Sequence, residues 1–477
     1  MLLISTTNVT RVIFIIRNSS KTVEYKKSIK GKRISVCGIG VSNLPLIDFL
    51  LGAGAVVTAR DMKDRESFGQ IADDLEKKGV RLICGEKYLD DIDDEIIFRT
   101  PGIRFDKKGF VDAVEKGALL TSEMQVFFEL CPCKIIGVTG SDGKTTTTTL
   151  ISEILKASGK RVWLGGNIGK PLLPDIEQMT ESDFAVVELS SFQLHTMKNS
   201  PDIAVVTNIS PNHLDYHVDY NEYIDAKKNI YRNRKDITFI TNAKNDITLQ
   251  MADECKGNII TFSAKTSECD VYEENGYICK DGKRLLNIED IILPGKHNVE
   301  NYMAAIGATL PFADTNAFEK IAKTFKGVEH RLEFVGEKDG VKYYNSSIDS
   351  TPTRTMAALS AFKEKNLIVI CGGYDKNLDY APLVPVLAEK AKCVVLTGAC
   401  KDKIKNAIDS HPFFHNSSTT VIEENDFEKA VMLASSTAKK GDIVLLSPAA
   451  ASFDAFKNFM TRGRFFKDIV GKILQEN

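Results

Sequence analysis

The stretch GVTGSDGKTTTTTL (residues 137–150) decides the fold class, because it joins an apolar strand pattern to a helix through a glycine-rich turn. Gly143, Lys144 and Thr145 are the residue types that bind a nucleoside triphosphate: backbone N–H groups around the phosphates, an ammonium group, and a hydroxyl for Mg²⁺. The strict P-loop pattern nevertheless fails, since Val138 stands where that pattern has glycine. The rest of the chain must show whether this is an ordinary P-loop or another enzyme's version of one.

Short β-branched runs alternate with helical patterns along almost the whole chain, which predicts an α/β fold with mainly parallel sheets. Because 477 residues exceed one ordinary core, we expect three domains, at 1–122, 123–328 and 329–477. We assign no role to residues 1–29.

The segment KRISVCGIGVSNLPLIDFLLGAGAVVTARD (residues 32–61) has the outline of a βαβ nucleotide-binding unit. Its loop lacks the third glycine of the dinucleotide fingerprint, because Asn43 stands there. NAD, a UDP-type ligand, or packing alone therefore remain alternatives for this loop.

The composition is that of an ordinary globular protein, with 43% apolar and 26% charged residues and a formal charge of −2. It shows no electrostatic footprint of a nucleic-acid partner. The ten cysteines are scattered, without paired zinc spacing, which indicates reduced thiols in a cytosolic protein. No apolar run reaches the roughly 18 residues of a membrane span. We expect a cytoplasmic protein with no membrane partner.

Polar residues follow two apolar strands that should neighbour the loop. Glu188 ends FAVVE, at the sheet edge where α/β proteins bind ligands, and could supply Mg²⁺ with an oxygen ligand beside Thr145. His213 and Asp215 follow IAVVTNIS at the same edge, which favours a metal or phosphate role for His213. The alternatives are a solvated carboxylate and a structural histidine.

In chain order, the motifs TGSDGKT, ELSSFQL, NISPNHLD, HNVENYMAA and EHRLE resemble those of the Mur ligases, the ATP-dependent amide ligases of peptidoglycan precursor synthesis. The family's own loop, TG-x-x-GK-[ST], accounts for the glycine spacing that a generic P-loop does not. The segments GIGVSN, GGNIG, NSSIDSTPTRT and LSPAAASFDAFKNFMTRG resemble the D-glutamate-adding branch, and the resemblance covers residues 30–470. It implies a Rossmann-like N-terminal domain, a central P-loop-type ATPase domain and a Rossmann-like C-terminal domain.

The resemblance also implies a reaction with ATP and Mg²⁺. ATP phosphorylates the carboxylate of UDP-N-acetylmuramoyl-L-alanine, and the amine of D-glutamate attacks the acyl phosphate. Lys144 would stabilise the negative charge, Thr145 and Glu188 would hold one Mg²⁺, and His213 would hold a second. Lys227, from its own surroundings an ordinary helical lysine, matches the family lysine that carries CO₂ as a carbamate.

Three sets of binding residues follow from the same resemblance. The implied ATP site comprises Gly137, Val138, Thr139, Gly140, Ser141, Asp142, Gly143, Lys144, Thr145, Asn298, Asn301, His330 and Arg331. The implied UDP-substrate site comprises Gly40, Val41, Ser42, Asp61, Lys63, Thr100 and Asn167. The implied D-glutamate site comprises Ser350, Lys376, Ser452, Phe453 and Phe459, with Lys376 expected to be buried. Asn298 could instead cap its helix, and NSSIDS (residues 345–350) lacks the lysine and aspartate of the NDSKATN-like segment in enterobacterial-type members.

Several alternatives remain at this stage. Other Mur ligases add L-alanine, a diamino acid or a dipeptide, and folylpolyglutamate synthases share the loop. An NAD-dependent oxidoreductase would bind NADH, and a motor or switch ATPase would hydrolyse ATP without an amino acid. We expect a monomer whose partners are ATP, D-glutamate and the UDP-linked substrate.

Overall fold

The computed structural model describes residues 21–40, 43–211, 216–362, 364–376, 378–415 and 417–475. The chain forms two compact units, Met1–Ile288 with Glu300–Ile321, and Glu289–Val299 with Ala322–Asn477. Three sheets with helices between their strands confirm the predicted α/β class. Two sheets belong to the first unit and one to the second. The domain boundaries at 122 and 328 stay predictions.

The first sheet is parallel throughout. Its strands are β1 (Arg33–Cys37), β2 (Val56–Asp61), β3 (Arg81–Cys84), β4 (Ile96–Arg99) and β5 (Leu119–Thr121), and the associated helices are α1 (residues 21–29), α2 (Asn43–Gly52), α3 (Gln70–Lys77), α4 (Lys108–Glu115) and α5 (Glu123–Leu130). The order β3-β2-β1-β4-β5 confirms the predicted βαβ unit. The strand order reverses at β1, so the crevice beyond the carboxyl ends of β1 and β4 is the expected place for a ligand.

The second sheet has nine strands and carries the glycine-rich loop. Its strands are β6 (Lys134–Thr139), β7 (Val162–Gly166), β8 (Phe184–Glu188), β9 (Ile203–Val206), β10 (Thr238–Asn242), β11 (Asn258–Ser263), β12 (Val271–Glu274), β13 (Tyr277–Lys280) and β14 (Lys283–Asn287). Its helices are α6 (Lys144–Ala157), α7 (Ser191–Leu194), α8 (Tyr220–Arg232), α9 (Asp246–Glu254), α10 (Lys296–Thr309) and α11 (Thr315–Thr324).

The order of this sheet is β14-β13-β12-β11-β10-β9-β6-β8-β7. The strands from β7 to β12 are parallel, and β12, β13 and β14 form an antiparallel ribbon at one end, with a bulge in β13. Strand β6 lies between β8 and β9, so the loop that follows it opens at a topological switch point. All five residues of β8 are buried, which explains their unbroken apolar run up to Glu188.

The third sheet forms the core of the second unit. Its strands are β15 (Glu333–Lys338), β16 (Val341–Asn345), β17 (Leu367–Gly372), β18 (Ala391–Thr397), β19 (Thr420–Glu423) and β20 (Ile443–Leu446), and its helices are α12 (Pro352–Ser360), α13 (Val384–Lys390), α14 (Lys401–Asp409), α15 (Pro412–His415), α16 (Phe427–Thr437) and α17 (Phe459–Gln475). The order is β15-β16-β20-β17-β18-β19.

Strands β15 and β16 form an antiparallel hairpin. Asp339 and Gly340 both have positive φ, 53° and 78°, as a two-residue Asp-Gly hairpin turn requires. Short 3₁₀ turns occupy Arg65–Phe68, Leu173–Gln178, Ile288–Asp290 and Ala381–Leu383. Over the described ranges, the helices fall short of the length and apolarity that crossing a membrane requires.

Candidate active site

The loop between β6 and α6 depends on glycine at two positions. Gly140 has a φ of 148° and Gly143 a φ of 77°, which side-chain-bearing residues rarely adopt. A Cβ at Gly140 would collide with Thr207 Oγ1, and one at Gly143 would collide with Asn301 Oδ1. Gly143 directly precedes α6, so the backbone N–H groups of the first turn of this helix face the loop. The loop therefore has the geometry of an anion site.

Lys144 and Ser141 shape the interior of this loop. The Lys144 ammonium donates hydrogen bonds to Gly140 O (2.9 Å) and Ser141 O (2.8 Å). The Ser141 hydroxyl bonds the Tyr223 hydroxyl (2.8 Å) and also donates to Ser210 O (2.9 Å). The sequence analysis missed Tyr223, since nothing in its local pattern sets a helical tyrosine apart from an ordinary core residue.

Lys227 lies in α8 with 1% of its surface exposed. Its Nζ donates to Thr139 Oγ1 (3.1 Å) and to Gly140 O (2.9 Å). Burial, followed by repulsion from the Lys144 ammonium, lowers the pKa of Lys227 well below its ordinary value, although Glu188 opposes this shift. The structure therefore places the amine of a lysine with a lowered pKa against the phosphate loop.

Glu188, at the end of β8, offers an unused ligand atom. Its Oε1 accepts a hydrogen bond from Asn167 Nδ2 (2.7 Å), whereas its Oε2 is buried without a hydrogen-bond partner in the described part of the chain. An orphaned carboxylate oxygen beside a phosphate loop fits a hard cation such as Mg²⁺. Thr145 lies in the first turn of α6, close along the chain to the same loop. His213, the predicted ligand of a second Mg²⁺, lies outside the described residues, as does Asp215.

In the first sheet, side-chain contacts order the glycine-rich loop after β1, which lacks the third glycine of the dinucleotide fingerprint. Gly38 has a φ of 98°, and a Cβ there would lie 2.7 Å from the methyl group of Thr100. Asn43 closes the loop by donating from Nδ2 to Gly38 O (2.7 Å). The Asp61 carboxylate accepts the backbone N–H of Ile39 (2.7 Å). The predicted residues Asp61 and Thr100 thus border the same loop.

The other residues predicted for the UDP-substrate site show fewer contacts with the loop after β1. Gly40 and Lys63 are exposed, and the Lys63 N–H donates to Asp61 Oδ1 (3.0 Å). Val41 and Ser42 lie outside the described residues. The amide of Asn167, predicted to contact the substrate, bonds Glu188 in this structure.

The loops after β17 and β20 carry most of the predicted D-glutamate site. Ser452 is buried, whereas 61% of Phe453 is exposed. The prediction of a buried Lys376 is wrong, because this lysine lies in the exposed loop after β17, with Nζ 6.0 Å from the centre of the Phe453 ring. Phe459 begins α17 and packs edge-on against His330, with ring centres 5.9 Å apart.

Arg462, which the sequence analysis did not single out, fixes the loop before Ser452. Its Nε donates to Ser347 Oγ (3.0 Å), and its Nη1 donates to Ala451 O (3.0 Å). Its Nη2 donates to two carbonyl oxygens, Ser347 O (2.9 Å) and Ala450 O (3.0 Å). Burial lowers the pKa of Arg462 to about 10, which leaves the guanidinium charged at neutral pH. Its place in the motif FMTRG was the available signal.

The altered NSSIDS segment contains a buried carboxyl group. Asp349 accepts a hydrogen bond from Ser447 Oγ (2.8 Å), and burial raises its pKa to about 6. Ser350 follows it, half-buried.

The predicted ATP-site residues of the second unit and of α10 are held by local contacts. His330 has a φ of 67°, and its Nδ1 lies 2.9 Å from Asn345 Nδ2. Arg331 beside it is half-buried. Asn298 donates to Pro294 O (2.7 Å) at the start of α10, in keeping with the alternative role of ordering the helix terminus. Asn301, one turn later, bonds Thr147 in α6 (3.3 Å).

Comparison with known proteins gives consistent matches along the chain. Residues 138–309 match the Mur ligase middle domain, and residues 330–450 match the Mur ligase, glutamate ligase domain. The UDP-N-acetylmuramoylalanine–D-glutamate ligase of Clostridium beijerinckii is 50% identical over 451 residues, which cover 94% of this chain and 98% of that protein. The protein of the same name from Acetivibrio thermocellus is 47% identical over 464 residues, with 95% and 99% covered.

Two solved structures share the fold. The UDP-N-acetylmuramate-alanine ligase of Thermotoga maritima matches with a TM-score of 0.57 at 19% identity, over 93% of this chain and all of that one. A UDP-N-acetylmuramoyl-L-alanyl-D-glutamate–2,6-diaminopimelate ligase matches with a TM-score of 0.55 at 18% identity, over 94% of each chain. At these identities the likeness concerns the arrangement of strands and helices alone.

Proposed function

The chain belongs to the Mur ligase family, and from this premise we propose that it is a UDP-N-acetylmuramoylalanine–D-glutamate ligase. It joins D-glutamate to UDP-N-acetylmuramoyl-L-alanine and cleaves ATP to ADP and phosphate. The choice of substrates rests on relatives that are about half identical over almost the full length. The chemistry rests on one observation, the phosphate loop that is lined by Lys144, the buried Lys227 and the unpaired oxygen of Glu188.

The first step forms an acyl phosphate. A carboxylate oxygen of the muramoyl-alanine attacks the γ-phosphorus, the bond to the β–γ bridging oxygen breaks, and ADP leaves. The N–H groups of residues 143–145 and the Lys144 ammonium bind the phosphates and offset the charge that collects on the transferring group. Preorganised donors at this point cost little reorganisation during the reaction.

Mg²⁺ fits the oxygen ligands of the loop. Thr145 and Glu188 would hold one ion through the hydroxyl and the orphaned Oε2, and His213 is proposed for a second. When bound, Mg²⁺ neutralises phosphate charge and polarises the γ-phosphoryl group.

We propose that Lys227 acts as a carbamate. Its amine attacks the carbon of CO₂, a proton leaves the nitrogen for solvent, and an anionic oxygen ligand replaces a basic nitrogen. A protonated lysine has no lone pair for this reaction, so the lowered pKa of Lys227 is its prerequisite. Lys228, the next residue, pairs with Glu254 near the surface and lacks these surroundings.

The second step makes the amide bond. The amine of D-glutamate attacks the acyl carbon, a tetrahedral intermediate forms, phosphate leaves, and the nitrogen gives up a proton to solvent. We assign D-glutamate binding to Ser350, Lys376, Ser452, Phe453 and Phe459. The loop carrying Ser452 is held in shape by Arg462. We further propose that the chain acts as a monomer in the cytoplasm.

An amino-acid panel tests the assignment. Purified protein receives ATP, Mg²⁺, UDP-N-acetylmuramoyl-L-alanine and one D- or L-amino acid at a time, and ADP release is measured. D-glutamate should support the fastest turnover, and faster turnover with L-glutamate, L-lysine or diaminopimelate would assign the chain to another branch. Lys144→Ala should abolish turnover, whereas Lys156→Ala, an exposed lysine of the same helix paired with Glu153, should retain it.

Isotope transfer tests the mechanism separately. Substrate labelled with ¹⁸O in the reacting carboxylate should deliver label to the released phosphate, because that oxygen remains on phosphorus when the acyl phosphate breaks down. Release of AMP and pyrophosphate in place of ADP would contradict an acyl phosphate.

A further inference from the structure

Two histidines and a glutamate, none of which is assigned to Mg²⁺, meet in the first compact unit. His195 directly follows α7, His217 precedes α8, and Glu222 lies in the first turn of α8. One nitrogen or oxygen atom from each lies within 4.8 Å of the others. We propose that His195, His217 and Glu222 bind a divalent transition-metal ion of the Zn²⁺ class.

The spacing of the three groups suits such an ion. Glu222 Oε2 lies 3.2 Å from His217 Nδ1, and Glu222 Oε1 lies 3.7 Å from His195 Nε2. Zinc bonds of about 2.0–2.2 Å in a tetrahedron separate neighbouring ligand atoms by roughly 3.3–3.5 Å. The ligand atoms, which lie within 4.8 Å of one another, must therefore draw together to these separations when the ion binds. Three protein ligands leave the fourth position to water.

The protonation states are those that metal binding needs, namely neutral imidazoles and an ionised carboxylate. Burial lowers the pKa of both His195 and His217, so each imidazole is neutral at pH 7. A hydrogen bond from Arg104 is the main cause that lowers the pKa of Glu222 to about 2. No net loss of protons from these three side chains is needed for the ion to bind, because the proton on His217 Nδ1 can move to Nε2.

Surrounding contacts orient the ligands. Arg104 donates to both oxygens of Glu222 (2.9 and 3.1 Å), and Ser191 Oγ lies 2.9 Å from His217 Nε2. An Nε2–H that donates to Ser191 leaves the Nδ1 lone pair of His217 for the ion. The Nδ1 atom of His195 is buried without a hydrogen-bond partner among the described residues, so no second bond fixes this ring and either nitrogen can turn toward the ion.

Without an ion the same side chains form a hydrogen-bond network, in which His217 Nδ1–H donates to Glu222 and Ser191 donates to His217. The experiment must separate these two roles. It must also separate this site from adventitious binding to thiols, because the chain has ten cysteines.

Cobalt absorption spectroscopy makes both distinctions. Co²⁺ is titrated into the untagged full-length protein in excess Mg²⁺. We expect intense visible bands of tetrahedral Co²⁺ that saturate at one equivalent and disappear when Zn²⁺ is added. No thiolate charge-transfer band should appear in the near ultraviolet, because no cysteine belongs to the site.

Variants locate the ion. His195→Gln and Glu222→Gln should each weaken Co²⁺ binding by about 100-fold or more, since each removes one of three ligands. His411→Gln, a histidine of the second unit, is the matched control and should bind like the unaltered protein. Circular dichroism and the melting temperature check that each variant is folded. Absence of the visible bands, their persistence in both folded ligand variants, or an accompanying thiolate band would overturn the proposal.

Discussion

Lys227 shows how one buried side chain can change its chemistry through its surroundings. We expect Lys227→Ala to lose almost all turnover, because the amine proposed to bind CO₂, whose pKa is lowered by burial, is gone. Acetate should restore part of the rate by supplying a free carboxylate to the space beside Thr139 and Gly140. Steady-state rates with and without acetate measure both effects. Lys228→Ala is the control and should keep its activity; full activity in untreated Lys227→Ala would make Lys227 a structural residue only.

Asp349 should impose a pH dependence on stability. Its pKa is about 6 in the folded protein and near 3.9 in an unfolded chain. Between these values the folded state holds more protons, so the free energy of unfolding falls as the pH rises from about 4 to about 6, by up to about 3 kcal/mol. Asp349→Asn removes this titration and can still accept the hydrogen bond from Ser447.

Urea unfolding of both proteins at pH 4 and pH 7 measures this effect. The free energy of unfolding of the variant minus that of the unaltered protein is free of the contributions from other titrating groups, because both proteins contain them. The stability of Asp349→Asn relative to the unaltered protein should rise by about 2–3 kcal/mol between the two pH values. If the difference in unfolding free energy between the two proteins is the same at pH 4 and pH 7, Asp349 ionises in the folded protein as it does in an unfolded chain.

At the scale of elements, the loop between β6 and α6 permits a controlled glycine test. Gly143 and Gly159 lie at opposite ends of α6 and have nearly the same φ, 77° and 75°, but only a Cβ at Gly143 meets another residue, Asn301. Alanine at either position should cost about 1 kcal/mol of stability through the left-handed backbone. Only Gly143→Ala should also abolish ATP binding in isothermal titration. Equal ATP affinities would mean that the close approach to Asn301 is unimportant.

Helix α17 and the loop after β20 permit a second test. Arg462→Lys keeps the charge but loses the planar fork that reaches Ser347, Ala450 and Ala451 together. We expect the KM for D-glutamate to rise at least about tenfold, while the KM for the UDP-linked substrate stays within a few-fold. Arg464→Lys, at an exposed position of the same helix, should behave like the unaltered enzyme. A matching rise in both KM values would indicate general loss of structure.

The regular elements were the most predictable part of the molecule. The loop of residues 137–145 and the βαβ unit follow from local signals, since strand patterns and glycine residues act over a few positions. The ribbon β12 to β14 was not predicted, because its strands are only four or five residues long and are partly exposed. Short polar strands form through their neighbours in the sheet rather than through their own periodicity.

The site was predictable only in part, for a related reason. The resemblance identified Lys227, but its burial against Thr139 depends on how α8 packs on the loop, 88 positions away along the chain. Lys376 was expected to be buried and is exposed, because residue type alone does not tell on which side of a loop a lysine lies. The Arg462 contacts likewise join residues 115 positions apart. Contacts over such separations leave no local pattern in one sequence.

For the whole molecule, two compact units should give two thermal transitions in calorimetry. ATP with Mg²⁺ should raise the transition of the first unit, which contains the phosphate loop, with a stabilisation of about 2.7 kcal/mol at one hundred times the Kd. Lys144→Ala should lose this shift while keeping its own transition temperatures within a few degrees. A shift that persists in Lys144→Ala would place the principal ATP contact elsewhere.

The outermost strand of the nine-stranded sheet has a consequence for the behaviour of the protein at high concentration. An edge strand exposes unpaired N–H and C=O groups onto which another chain can add, which is a common start of aggregation. Strand β14 begins with Lys283 and Arg284, both exposed, and its partner β13 is bulged between Ile278 and Cys279. A second copy that added to this edge would bring like charges together on an irregular template. The cationic start of β14 thus disfavours the addition of a second chain at this edge of the sheet.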